Sequence, residues 1–147
     1  MQEELVTLET AKLAKEKGFD VPVWDYFQVT CSKQPSECHR PTKSNWNTYN
    51  EYEVYSRPSQ SLLQRWLREV HNIRVLVDFE TIDDSTTDYT YKIVRDIPEG
   101  KGRKKDTWDF YETTYSFNQG GGWYKTYEEA LEIGLQESLK QIKTSHL

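Results

Sequence analysis

Two cysteines and a histidine are the residues of this sequence whose chemistry first points to a metal site. Cys31, Cys38 and His39 offer thiolates and an imidazole, which are ligands that zinc prefers. The cysteines are further apart than the about two to four residues usual between paired zinc ligands, and a closed site needs four ligands. The remaining histidines, His71 and His146, are distant in the sequence. We therefore expect no metal site, and we interpret the cysteines as reduced thiols in a loop.

A basic segment, Gly100–Lys105, offers a second kind of chemistry. It lacks the GxxxxGK[ST] spacing of a phosphate-binding loop, and the residues after it predict a strand rather than a helix. As the tip of a hairpin, Arg103, Lys104 and Lys105 with Trp108 could bind single-stranded nucleic acid through charge and stacking. The alternative is a solvated turn that keeps the hairpin edge from pairing with other chains.

Five acidic residues cluster in the middle of the chain and raise the question of a cation site. They lack the loop spacing and the central glycine of an EF-hand, so we interpret them as strand-edge and turn residues. The five are Asp78, Glu80, Asp83, Asp84 and Asp88.

No arrangement of residues predicts catalysis. The serines Ser32, Ser36 and Ser44 lie in no GxSxG motif, which would place a serine on a nucleophile elbow. The sequence cannot place any two carboxylates across a cleft, and geometry comes before chemistry in assigning an acid–base pair. We expect a protein that is not an enzyme and that binds no cofactor.

Composition predicts one compact domain over residues 1–147, since 147 residues suffice for one ordinary domain. Only 35% of residues are hydrophobic but 14% are aromatic, so large rings must supply much of the core. We expect Trp24, Trp66, Trp108 and Trp123 at its centre. The net charge of −5 argues against a general affinity for nucleic acid.

The location of the protein is predicted from what the sequence lacks. No apolar run approaches the about 18 residues of a membrane span. The start of the chain is acidic and has neither the basic region nor the apolar stretch of a signal peptide. We expect a cytoplasmic protein.

Three helices are predicted. Thr7–Lys17 carries small and apolar residues on one face and ends at Gly18, and Gln60–His71 follows Ser59 as its N-cap. The third helix begins with the capping box Thr126–Glu129. Gly134 lies on its apolar face, which indicates a close approach by a neighbouring strand.

The predicted fold class is α+β, with an antiparallel sheet of about five strands and three helices packed on one face. The predicted order is α-β-β-α-β-β-β-α, and the polar segment at about 31–50 is predicted to be a long loop. The predicted strands are Val21–Thr30, Glu51–Tyr55, Ile73–Glu80, Tyr89–Asp96 and Trp108–Phe117.

Three segments, Glu3–Asp20, Pro58–Ile73 and Tyr127–Glu137, resemble small uncharacterised proteins encoded by tailed bacteriophages and prophages of gut bacteria. The resemblance covers the three helices, about a third of the chain. It implies an accessory factor made in a bacterial cytoplasm that binds a host or phage macromolecule.

These observations favour a non-enzymatic binding protein with a protein partner. Exposed tyrosine, tryptophan and arginine side chains carry much of the energy of protein interfaces, and this chain is rich in rings. The first alternative is a nucleic-acid-binding protein that uses the basic hairpin. The second is a small-molecule-binding protein or an enzyme, which would require one deep pocket with converging polar groups.

Overall fold

The computed structural model describes residues 2–30, 34–50, 52–83, 85–96, 111–115 and 123–144. It has the predicted α+β class, with three helices and antiparallel strands. The helices are α1 (Leu8–Glu16), α2 (Gln60–His71) and α3 (Tyr127–Gln141). The strands are β1 (Val23–Val29), β2 (Pro35–Ser44), β3 (Glu53–Ser56), β4 (Ile73–Asp83), β5 (Thr86–Asp96) and β6 (Tyr111–Tyr115), with a 3₁₀ turn at Trp46–Thr48.

The described strands form two three-stranded antiparallel sheets, ordered β2-β1-β3 and β4-β5-β6. The prediction of one sheet of about five strands is therefore wrong in strand number and order. The additional strand is β2, which lies within the segment that was predicted to be a loop. Its residues are nearly all exposed, so they show no apolar period. An edge strand of this kind is held by backbone hydrogen bonds to its neighbour, and the side-chain pattern does not report them.

The chain divides into two compact units. The first contains Met1–Leu63 and Leu139–Leu147, and the second contains Gln64–Ser138. The single domain over residues 1–147 stays a prediction.

In the first unit, α1 begins and ends as its sequence predicts. The Thr7 hydroxyl accepts a hydrogen bond from the backbone N–H of Thr10 at 3.4 Å, which satisfies a free donor at the helix N-terminus. Gly18 has a φ of 87°, a left-handed conformation that ends the helix without strain. The next N–H, of Phe19, donates to Ala14 at 2.9 Å, and the Phe19 ring is buried in the core of this unit.

The second unit is built on the meander β4-β5-β6. The β4–β5 turn is closed by Asp83, whose carboxylate accepts hydrogen bonds from both the N–H and the hydroxyl of Ser85. On one face of this sheet, Val75 and Tyr91 are buried and lie close to the Cα of Gly134 in α3. The predicted close approach of a strand to Gly134 is therefore confirmed.

The predicted caps of the other two helices are largely confirmed. Ser59 accepts from the N–H of Leu62 at 3.3 Å, and Thr126 accepts from the N–H of Glu129 at 3.2 Å. The Glu129 carboxylate accepts in turn from the N–H of Lys125, one residue earlier than in a regular capping box. Asn72 ends α2 with a φ of 55°, a conformation that asparagine tolerates better than most residues.

Candidate functional site

A recess lined by described residues lies in the first unit, on one face of the sheet β2-β1-β3. Its volume is about 420 Å³, within the range of small-ligand and peptide sites. We call it the aromatic cleft. It is lined by Tyr26, Gln28, Arg40, Trp46, Tyr49, Tyr52 and Val54.

Two stacked rings form the floor of the aromatic cleft. The ring centroids of Tyr26 and Trp46 are 4.5 Å apart, with the ring planes inclined by 29°. Both side chains are buried. The indole N–H of Trp46 donates to the backbone carbonyl of Val23 at 2.8 Å, which satisfies the one polar atom of a buried indole. The floor is therefore fixed before any ligand binds.

The 3₁₀ turn that carries Trp46 is held on the sheet by Asn47. The Asn47 amide nitrogen donates to the carbonyl of Phe19 at 2.8 Å, and its oxygen accepts from the N–H of Ser56 at 2.9 Å. Both partners are backbone groups of ordered segments. Within the turn, the Asn45 side chain accepts from the Asn47 N–H at 3.2 Å, a local bond typical of asparagine in turns.

Two tyrosines at the rim of the aromatic cleft are exposed. Tyr49 is 50% exposed and Tyr52 is 61% exposed. Each therefore leaves a large part of an aromatic ring in contact with solvent. The Tyr49 ring lies 5.5 Å from the Trp46 ring, inclined by 32°. Tyr26, Trp46 and Tyr49 thus form one connected aromatic surface that is open to solvent at its Tyr49 end.

Arg40 supplies the positive charge of the aromatic cleft. Its Nε donates to the Tyr26 hydroxyl at 3.2 Å, and its guanidinium carbon lies 6.0 Å from the Tyr26 ring centroid. The hydrogen bond with the Tyr26 side chain raises the pKa of Arg40 above its ordinary value, so the guanidinium is charged at every physiological pH. None of the lining residues that the structure describes carries a carboxylate.

A second aromatic group lies beside an irregularity in the β1–β2 pairing, where the register shifts between Val23 and Asp25. The rings of Trp24 and His39 are stacked with centroids 6.3 Å apart, and the ammonium of Lys43 lies 5.3 Å from the Trp24 ring centroid. His39 Nδ1 and a carboxylate oxygen of Asp25 are 2.9 Å apart. The side chains of Trp24 and His39 are exposed, whereas that of Asp25 is largely covered.

Of the three residues considered for a zinc site, the structure describes Cys38 and His39. The two residues are adjacent on β2, where Cys38 lies opposite Tyr26 and His39 lies opposite Asp25. Successive side chains of a strand point to opposite faces, so these two lie on opposite faces of the sheet. Cys31 lies outside the described residues. No group of three His, Cys, Asp or Glu side chains within the described ranges could hold a metal ion.

The described acidic residues Asp78, Glu80, Asp83 and Asp88 are spread along the β4–β5 hairpin, where Glu80 and Asp88 are cross-strand partners. The carboxylate of Asp78 accepts from the N–H of Phe79, and that of Asp83 closes the β4–β5 turn. Hydrogen bonds from Ser85 lower the pKa of Asp83. Asp88 is buried and is paired with the ammonium of Lys125 at 2.8 Å. The strand-edge and turn interpretation fits Asp78, Glu80 and Asp83 on β4, but it is wrong for Asp88, which is buried on the central strand β5. Asp84 lies outside the described ranges.

The basic hairpin lies outside the described residues, and with it Arg103, Lys104, Lys105 and Trp108. Nucleic-acid contact by these four residues stays a prediction. Among the other tryptophans predicted at the core, Trp66 is buried, whereas Trp24 and Trp123 are 42% and 41% exposed.

The sequence interpretation did not select the residues of the aromatic cleft, because most of them lie in or beside the predicted loop. A signal was present: Trp46, Tyr49, Tyr52 and Tyr55 recur at intervals of three residues. The first three line the cleft, whereas Tyr55 pairs with Phe27 on the other face of the sheet. Aromatic density inside a polar segment was therefore the informative feature.

Comparisons of this chain with family models, with curated proteins and with solved structures gave no match. Within the described ranges, no helix has both the length and the apolar character needed to cross a bilayer. What the aromatic cleft does must therefore follow from its own geometry.

Proposed function

We propose that this protein is a non-enzymatic binding module that recognises a protein partner through the aromatic cleft. The observation that carries the proposal is the exposure of Tyr49 and Tyr52 beside Arg40, on a floor of two rings that the fold already holds in place. Tyrosine, tryptophan and arginine are the residues most often found to dominate the energy of protein interfaces. The partner is a host or phage protein, in keeping with the resemblance of the helices to phage-encoded proteins.

Tyrosine at the rim suits a binding surface for an energetic reason. Its ring offers a large apolar area and its hydroxyl offers a hydrogen bond, yet only two side-chain torsions are fixed on binding. The Tyr26–Trp46 floor is buried and hydrogen-bonded before the partner arrives, so little ordering cost remains there. A partner would gain most of its contact energy at Tyr49 and Tyr52.

The lining is also the reason for proposing binding rather than catalysis. Among the described lining residues there is no cysteine, serine, threonine, histidine or carboxylate. Nucleophilic and acid–base mechanisms take most of their reacting groups from these types and from lysine and tyrosine, and of all of these the described lining has only tyrosines. A cleft of rings, one guanidinium and one amide is suited to holding a ligand.

The proposal is tested by affinity recovery of the tagged protein from bacterial lysate, with and without nuclease, read by mass spectrometry. The variant is Tyr49→Ala/Tyr52→Ala. The matched control is Tyr127→Ala, which removes a ring of similar exposure, 44%, from the second unit. We expect a nuclease-resistant protein whose recovery falls about tenfold or more in the variant, as for interface hot spots, and is unchanged in the control.

Other outcomes would contradict the proposal. If the wild-type protein and the Tyr49/Tyr52 variant recovered the partner equally, the partner would bind somewhere other than the aromatic cleft. Recovery that disappears with nuclease would favour the basic hairpin, and replacement of Arg103, Lys104 and Lys105 by glutamate should then abolish it.

A small-molecule ligand is the second candidate function, because the volume of the aromatic cleft also lies in the range of small-ligand sites. It predicts a low-mass compound that co-purifies with the native protein and is released on unfolding. Native and denaturing mass spectrometry of the same sample would distinguish it from the protein-binding proposal.

A further inference from the structure

We propose that the occupant of the aromatic cleft is a proline-rich segment of the partner in the polyproline II conformation, with an acidic residue that pairs with Arg40. This inference rests on the proposed protein-binding function. It follows from the hydrogen-bonding groups and the charge of the lining residues.

The hydrogen-bonding groups of the aromatic cleft are mostly donors. The Nε of Arg40 is bonded to the Tyr26 hydroxyl, and no other hydrogen bond of this guanidinium is formed with a described residue, so its two terminal amino groups remain available to a ligand. The side-chain amide of Gln28 has no hydrogen-bond partner among the described residues. The tyrosine hydroxyls can each donate or accept and the Gln28 side-chain oxygen can accept, but the described lining has no carboxylate, so donor groups outnumber acceptors.

A proline-rich backbone complements such a surface. Proline has a carbonyl acceptor and no N–H, and in the polyproline II conformation its carbonyls are unpaired and point outward. A ligand in the β conformation would present an N–H at each residue, whereas the acceptors of the described lining are limited to the tyrosine hydroxyls and the side-chain oxygen of Gln28. The donor-rich lining therefore favours a ligand whose backbone only accepts.

The aromatic surface fits the side chains of the same segment. Tyr26, Trp46 and Tyr49 follow one another at centroid distances of 4.5 and 5.5 Å with inclinations of about thirty degrees (29° and 32°). Aromatic-lined grooves of this kind accept the rigid rings of proline-rich peptides, and the preformed helix loses little entropy on binding. No movement of the buried floor is required.

Arg40 favours a ligand that carries a negatively charged side chain. A guanidinium pairs best with a carboxylate, through two parallel N–H···O bonds that are stronger than neutral ones. Arg40 lies in the aromatic cleft itself, and its terminal amino groups form no ion pair with a described residue. A glutamate or aspartate next to the prolines of the ligand would form this ion pair with Arg40.

The test uses fluorescence anisotropy with labelled peptides of about ten residues, long enough to form a polyproline II helix. The probes are an oligoproline with one internal glutamate, the same peptide with glutamine, and a peptide with alanine in place of every proline. We expect the glutamate peptide to bind, the glutamine peptide to bind about five- to tenfold more weakly, and the alanine peptide to bind at least about tenfold more weakly.

Two variants locate the effect. Arg40→Gln should abolish the difference between the glutamate and glutamine peptides while proline-dependent binding persists. Tyr49→Ala/Tyr52→Ala should weaken all peptides, and Tyr127→Ala should change none. Circular dichroism of each variant confirms that it is folded, and a variant that is not folded is replaced by Arg40→Met, which is also uncharged, or by Tyr49→Leu/Tyr52→Leu.

The inference is overturned if the alanine and proline peptides bind equally, if Arg40→Gln keeps the glutamate preference, or if only an oligothymidine probe binds. It is also overturned if no peptide binds while a lysate protein is still recovered through Tyr49 and Tyr52. In that last case the proposed function stands and the class of ligand is wrong. Failure of the lysate experiment together with the peptides would remove both.

Discussion

Gly134 of α3 lies so close to Val75 of β4 that a Cβ on the glycine would be 2.7 Å from Val75 Cγ1. A Cβ atom is essentially never found that close to a heavy atom to which it is not covalently connected. The same Cβ would be 3.1 Å from Tyr91 in β5. A glycine inside a helix costs about 1 kcal/mol relative to alanine. In return, the absence of a side chain at this position allows α3 to lie in close contact with the sheet.

We therefore expect Gly134→Ala to destabilise the protein, although alanine is the better helix former. Overpacking costs about 1–3 kcal/mol, and Val75 is β-branched and has little rotamer freedom to yield. The net loss of unfolding free energy should be about 1 kcal/mol after the gain in helix propensity is subtracted. Urea denaturation measures it.

The control for this prediction is the pair of variants Val75→Ala and Gly134→Ala/Val75→Ala. If the clash is the cause, the double variant should lose less free energy than the sum of the two single variants. Strict additivity would contradict the explanation.

Asn47 should contribute more to stability than its partly exposed position in a short turn implies. Asn47→Asp keeps an acceptor for the Ser56 N–H but places a carboxylate against the Phe19 carbonyl, which needs a donor. We expect a loss of about 1–2 kcal/mol in unfolding free energy and a changed near-ultraviolet circular dichroism signal from Trp46. Thr48→Val is the control, since it removes an exposed hydroxyl bond of the same turn and should cost less.

The ion pair between Lys125 and Asp88 should matter because of what lies opposite Asp88. Glu80 is its direct cross-strand partner, and like charges in that position repel. Lys125→Met would leave the buried Asp88 carboxylate unpaired, at a cost of about 1–2 kcal/mol, less than for a fully buried pair because the Lys125 side chain is mostly exposed.

Urea denaturation of Lys125→Met and Lys125→Arg checks this prediction. The arginine variant keeps a cation within reach and should retain most of the stability. If both variants were equally destabilised, the length of the lysine side chain rather than its charge would be the cause.

His71 should make folding depend on pH. Burial lowers the pKa of His71, and the charge of Arg95 lowers it further. The ring packs edge-on against Trp66, with centroids 4.6 Å apart, and Nε2 is buried without a hydrogen-bond partner among the described residues. The unfolded chain therefore takes up a proton at this histidine at a higher pH than the folded protein does.

The sign of the effect follows from linkage. Stability from His71 is fully present above the unfolded pKa of about 6.5 and is lost as the pH falls from there toward the lower folded pKa. We expect His71→Gln to reduce the fall in unfolding free energy between about pH 7.5 and pH 5. Urea denaturation across that range measures both slopes, and identical slopes would contradict the prediction.

The helices and the meander of the second unit could be predicted from sequence because their signals are local. The cap at Ser59, the capping box at Thr126 and the glycine at position 18 each satisfy backbone groups within a few residues. Gly134 also predicted a close neighbour correctly, since only such a neighbour explains a glycine on an apolar helix face.

The sequence by itself determined the class of the fold, the three helices and the absence of a recognisable catalytic motif. Only the tertiary structure decided that the strands pair in two sheets, that Trp46 is buried, and that Tyr49, Tyr52 and Arg40 share one cleft. The reason is physical. β2 is held by backbone bonds between segments distant in sequence, and its exposed polar side chains carry no periodic signal. A cleft assembled from three strands and a turn exists only once that pairing has formed.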